Sequence, residues 1–227
     1  MSQSVIILHG IDTPQRALEP GEDVFWLSRD RFRNVLDKIV SLGQSAPEIT
    51  FDDGNASDLE IALPELARRG LNATFFLLTG RLGHPGSLRP ADVRKLVDAG
   101  HRIGLHGADH VDWRRLDAQA RIREFVQARK TLSALAGHPV DLAAAPFGFY
   151  DRQTVKDLRH LGFDALYTSD RGLAGMADFI RPRNCLEGEM DDVALEDALH
   201  GRIRLPRRLQ RVVGLARKRF LPLRVRT

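Results

Sequence analysis

The chain has 227 residues, 43% of them apolar and 28% charged, with a formal net charge of +4 and a single cysteine, Cys185. One cysteine excludes an intramolecular disulfide, and no apolar run approaches the roughly 18 residues of a membrane-spanning helix. The length suits one large domain, and no basic leader precedes the short apolar run Val5–Leu8, so a cytoplasmic protein is expected.

Strand-like and helix-like segments alternate from that first run onward. Phe32, Val35, Leu36 and Ile39 recur at helical spacing and end at Gly43. Glu48–Phe51 reads as the next strand, and Leu59, Ala62, Leu63 and Leu66 as a helical stripe ending at Gly70. Ala73–Leu78 is apolar apart from Thr74, as a strand buried on both faces should be. A helix on Val93, Leu96 and Val97 stops at Gly100, and the strand Arg102–Leu105 follows. A long helix through Ile122, Phe125, Val126, Leu132 and Leu135 stops at Gly137 and leads to the strand Leu142–Ala145. Val155 and Leu158 mark a helix before Gly162, then come the strand Ala165–Thr168, a last one near Phe179–Ile180, and a helix over Val193–Leu199.

This βαβα series implies a parallel sheet covered by helices, either a closed barrel of about seven strands or an open doubly wound sheet. No glycine-rich phosphate loop follows any strand, so nucleotide binding has no support. The charge is uneven. Residues 202–226 hold ten Lys/Arg and no acid, leaving 24 bases against 30 acids, a net of −6, on the rest. Two segments are therefore expected, a catalytic barrel over 1–200 and a basic amphipathic tail over 201–227. A tail with Leu209, Val212, Leu215 and Phe220 among arginines fits an anionic membrane surface, or a terminal helix packed on the barrel; no nucleic-acid motif accompanies it.

Sites in parallel α/β folds form at the carboxyl ends of the strands. Those ends carry His9, Asp52-Asp53, Thr79, His106 with His110, Pro146-Phe147-Gly148, Ser169-Asp170, and Arg181 with Arg183. His106 and His110 are four apart, so on one helical turn they would share a face. With a carboxylate from another strand they make a facial set for a catalytic divalent metal; alone, the pair is equally a chance spacing. Asp52-Asp53-Gly54-Asn55 is also good turn chemistry, with Asn55 or Ser57 free to cap the next helix. Turn chemistry does not account for two acids directly after a buried strand, where each is costly unless paired.

The segments ITFDDG, GHRIGLHGADH, AAAPFGFYD and ALYTSD resemble, in order, four motifs of the polysaccharide deacetylases of carbohydrate esterase family four, the NodB-homology domain. The resemblance runs from near the N-terminus to Ile180. It implies a deformed (β/α) barrel, a divalent metal, often zinc, and hydrolysis of an N-acetyl or O-acetyl group, with N-acetyl preferred, from a saccharide. It also implies roles: Asp53, His106 and His110 as metal ligands, Asp52 as general base, the Phe147 backbone N–H as oxyanion donor, and Asp170 as an orienting acid.

The chain departs from the pattern at three places. Ala144 stands where the third motif has an arginine, so Asp52 lacks that support unless another cation such as Arg183 replaces it. Gly107 stands where a hydroxyl residue follows the first histidine, and no histidine lies between His160 and His200 to act as the general acid of the fifth motif. His9 could reach the site in a substrate or acid role, Arg181 or Arg183 could bind an anionic substrate group, and water or Asp52 could return the proton instead. Two other functions stay open: a catalytically silent saccharide-binding module, and a hydrolase of a non-sugar C–N bond.

Overall fold

The computed structural model describes residues 2–203. Expectations for the tail therefore lie, from residue 204 onward, outside the described residues.

The strands are β1 (Ser2–Leu8), β2 (Glu48–Asp53), β3 (Ala73–Leu77), β4 (Arg102–Leu105), β5 (Leu142–Ala144), β6 (Ala165–Thr168), β7 (Leu173–Gly175), β8 (Ile180–Pro182) and β9 (Asn184–Cys185). The helices are α1 (Arg29–Ser41), α2 (Leu63–Arg68), α3 (Pro90–Asp98), α4 (Ala118–Arg121), α5 (Ala128–Ala136), α6 (Arg152–His160) and α7 (Asp192–Leu199). Local chemistry explains their limits. Ser28, Asp117, Asp151 and Asp191 cap α1, α4, α6 and α7 through side chains that accept backbone N–H bonds, and Gly137 ends α5 at φ 78°.

Strands β1 to β6 pair in parallel in chain order, and β8 joins β6. The single stretch Ile180–Cys185 then closes the barrel: Ile180 to Pro182 pair with Leu166 to Thr168, and Asn184 and Cys185 pair with Ile6 and Ile7. The amino half of β1 takes a different neighbour, the antiparallel β7. The barrel expected from the sequence is thus present and nearly closed, with the two short strands β7 and β9 added to the parallel set.

Alternation along the strands divides the core. Val5, Phe76, Leu142, Ala144, Ala165, Tyr167 and Ala174 form the inner cluster, while Leu8, Phe51, Phe75 and Leu77 join the larger cluster shared with the helices. A Cβ on Gly104 would meet the Phe76 ring at 2.3 Å, so glycine at that position makes room for the inner phenylalanine. The same alternation directs Asp52, one residue after outward-facing Phe51, to the inside of the barrel mouth.

Candidate active site

The carboxyl ends of the strands surround a cavity of about 310 Å³, walled by His9, Glu19, Glu22, Phe25, Asp52, Asp53, His106, His110, Phe147, Ser169, Arg171, Arg183, Cys185 and Glu187, among others. Four of the five non-glycine residues with positive φ among the described residues, Asp53 (79°), His110 (54°), Phe147 (56°) and Arg171 (61°), lie on that wall. Each such angle costs on the order of 1–3 kcal/mol and persists where the surroundings impose it.

Asp53, His106 and His110 bring one ligand atom each to within 4.8 Å of one another. Asp53 Oδ1 is 3.6 Å from Nε2 of His106 and 3.6 Å from Nε2 of His110. Tetrahedral ligands about 2.1 Å from one centre stand about 3.4 Å apart, so these spacings suit a metal ion. Asp53 Oδ1 is also buried with no hydrogen-bond partner, which an ion would remedy. His106 Nδ1 lies 2.9 Å from Ala144 O, a group that only accepts, so Nδ1 carries the proton and Nε2 keeps its lone pair. Two imidazole nitrogens and one carboxylate oxygen suit zinc or a similar first-row divalent ion.

The histidines do not meet on a helical turn, as their spacing suggested. Residues 106–110 form a loop in which Gly107 has φ 95° and His110 φ 54°. A Cβ on Gly107 would lie 2.2 Å from Glu124 Oε2. That carboxylate accepts from Ala108 N (2.9 Å), Asp109 N (3.0 Å) and Trp113 Nε1 (3.3 Å), so it shapes the loop and excludes a hydroxyl residue at 107. The helix after β2 is not capped by Asn55 or Ser57 either. Asn55 Oδ1 accepts from Arg16, and Ser57 Oγ accepts from Ile11 N.

Asp52 sits beside this set, with Oδ2 3.9 Å from His106 Nε2. Arg183 grips it with both terminal nitrogens at 2.7 Å and also donates to Thr50 Oγ1 at 3.0 Å. Burial raises the Asp52 pKa, but the Arg183 guanidinium, with His106 and His9, outweighs it and leaves the group at about 2. Burial alone dominates at His106 and lowers it to about 4, which keeps the imidazole neutral. The replacement cation named from the sequence is therefore in place. The other role suggested for Arg183, binding a substrate anion, is corrected: the residue is 1% exposed and its fork is occupied by Asp52. Arg181 is likewise bonded to Tyr167 OH and to backbone carbonyls.

Phe147 is half exposed on the cavity wall, its ring 4.2 Å from that of His110. Asp170 is not on the wall. Its Oδ2 accepts from Tyr150 OH (2.7 Å) and Thr168 Oγ1 (3.0 Å), which braces the turn after β6 next to Ser169 on the wall. His9 is on the wall, stacked on Phe25 with centroids 5.0 Å apart, and its Nδ1 faces Cys185 Sγ at 3.9 Å. The sequence reading missed Glu19, Glu22, Glu124, Arg16 and Arg81. Arg81 follows the carboxyl end of β3 by a few residues and was within reach of the strand-end rule; Arg16, Glu19 and Glu22 reach the site through the conformation of the β1–α1 connection, and Glu124 reaches the His106–His110 loop from the helical stretch Ile122–Gln127, none of them with a sequence signal.

A family model described as polysaccharide deacetylase matches residues 41–166. The chain is 23% identical over 182 residues to YxkH of Bacillus subtilis (strain 168), covering 75% of this chain and 65% of that protein. It is 26% identical over 111 residues to the peptidoglycan-N-acetylglucosamine deacetylase PgdA of Listeria monocytogenes serotype 1/2a (strain 10403S), covering 48% of this chain and 23% of that protein. It thus spans less than two thirds of either relative. Among solved structures, Streptococcus pyogenes deacetylase PplD in complex with acetate superposes with a TM-score of 0.76 at 18% identity, over 88% of this chain and 98% of that one. That likeness is one of fold.

Proposed function

The chain belongs to the polysaccharide deacetylase family, and from that membership we propose a metal-dependent hydrolase that removes an N-acetyl group from a saccharide. The observation that carries the reading is the convergence of Asp53, His106 and His110 around an unbonded, buried carboxylate oxygen, next to a second carboxylate held ionised by Arg183. A divalent ion held by the three ligands would polarise the amide carbonyl and acidify water. The protein supplies the rest. Asp52, on the neighbouring position of the same strand, takes a proton from the attacking water. The backbone N–H of Phe147 serves the carbonyl oxygen as charge develops on it.

Breaking the C–N bond leaves the electron pair on nitrogen, and an amine leaves only if that nitrogen is protonated. His9 is the donor. Of the three imidazoles on the cavity wall, His106 and His110 face Asp53. Glu22 pairs with Arg16 and Glu187 with Arg171, and burial pushes the Cys185 thiol up. Register places His9 beside Asp52, because Leu8 pairs with Phe51, and alternation points both inward. With Nδ1 facing Cys185, Nε2 is the nitrogen left for substrate. The proton taken by Asp52 restores His9, and the products are acetate and the protonated amine. This removes the motive for a catalytically silent module, which was the missing fifth-motif histidine.

The test joins metal analysis to acetate release from N-acetylglucosamine oligomers. Wild type should bind one divalent ion and release acetate; Asp53→Asn and His106→Ala should lose both. A wild-type protein that binds no divalent metal under any loading condition would exclude the reading.

A further inference from the structure

The segment between β1 and α1 lies outside the region matched by the family model, yet it reaches the ligand set. Glu19, in that segment, places Oε2 2.9 Å and Oε1 3.0 Å from His110 Nδ1. A carboxylate there makes Nδ1 the protonated nitrogen and leaves the Nε2 lone pair pointing at Asp53. Glu19 is itself held from two sides. Arg81 Nη2 donates to its Oε1, while Arg81 Nη1 stands 3.7 Å from Asp53 Oδ2, buried and without a hydrogen-bond partner. On the other side the Glu19 backbone N–H donates to Glu22 Oε2 at 2.9 Å. Glu22 pairs with Arg16, whose Nε donates to Asn55 Oδ1 at 2.9 Å, two residues past Asp53. The segment is therefore stapled to the end of β2 at one point and to the His106–His110 loop at another.

We propose that Glu19, held by Arg81 and by the Arg16–Glu22 pair, is the positioning residue that fixes His110 as a metal ligand, so that the β1–α1 segment forms the outer shell of the metal site. The proposal rests on the metal reading above. Losing such a partner typically weakens metal binding by about 10–100-fold. The Glu19 side chain is 38% exposed, so water can replace part of the contact and the lower end, about 10-fold, is expected.

Zn²⁺ affinity, measured by competition with a chromophoric chelator, tests this on the full chain. Glu19→Ala should bind Zn²⁺ about 10-fold more weakly than wild type with little change in the apo melting temperature, and Glu19→Gln, which keeps an acceptor, should fall between. Gln15→Ala, which removes an exposed bond to Glu60 from the same segment, should bind as wild type does. Nitrogen NMR of the metal-free protein should show His110 protonated on Nδ1 in wild type and as a tautomer mixture in Glu19→Ala. Unchanged affinity in Glu19→Ala, or an equal loss in Gln15→Ala, overturns the proposal. A wild type that fails to bind Zn²⁺ while keeping the Nδ1 tautomer sinks the metal reading instead, and with it the outer-shell role.

Discussion

Two sides of the barrel mouth hold the two aspartates by different means. On the β2–β4 side the strands pair over four or five residues in unbroken parallel register, and single strained residues at or beyond their ends, Asp53 and His110, aim the atoms proposed to hold the metal. On the closing side β8 and β9 have three and two residues, and there a long-range ion pair, Arg183 with Asp52, supplies the order. The ligand side depends on backbone conformation, whereas the base side depends on charge compensation. Mutations should separate them: small steric changes ought to damage the first, and loss of one charge the second.

The largest effect is expected on the closing side. Arg183→Met leaves Asp52 buried without a counter-charge, which should lower stability by about 3–5 kcal/mol and kcat by about 100-fold or more. Denaturant melts and acetate release measure the two, and an Arg183 variant as stable as wild type would erase the contrast. His9→Gln should lower kcat on an N-acetyl sugar by about 100-fold while sparing p-nitrophenyl acetate, whose leaving group departs without protonation. Equal losses on both substrates would argue against a proton donor. On the ligand side, Gly107→Ser restores the hydroxyl of the family pattern but forces a Cβ against Glu124 at φ 95°. It should destabilise by about 1–3 kcal/mol and weaken metal binding, read by calorimetry and chelator competition.

The smallest effect tests a carboxylate belonging to neither side. Asp58 is fully buried, its two carboxylate oxygens lack hydrogen-bond partners, and burial, then Asp53 and Asp52, hold its pKa well above the usual range. Because the folded pKa exceeds the unfolded one, its contribution is fully present below the unfolded value, near 3.8, and is lost as pH rises through the folded value. Asp58→Asn should therefore stabilise the protein at neutral pH by about 1 kcal/mol and flatten that limb of the stability–pH curve. A variant less stable than wild type at pH 7 would show that Asp58 has a partner role.

The legible part of this molecule is the part with local cause. Strand runs such as Ala73–Leu77 are apolar because both faces are buried, and the adjacent carboxylates of Asp52 and Asp53 end β2 as expected. The His106–His110 loop was legible in content but not in shape, since its bend depends on Glu124, fourteen residues downstream of His110. The partner of Asp52 could be named only as an alternative, because 131 positions separate it from Arg183 and closure alone brings them together. The strands β7 and β9 are too short to show a period.

The stretch Ile180–Cys185 both shuts the sheet and delivers Arg183 to Asp52. It works as a latch with an interlock. Undocked, it would leave Asp52 without its counter-charge; docked, it holds that carboxylate ionised for the role of base proposed above. The contact that completes the sheet is thus also the one that sets the charge of Asp52.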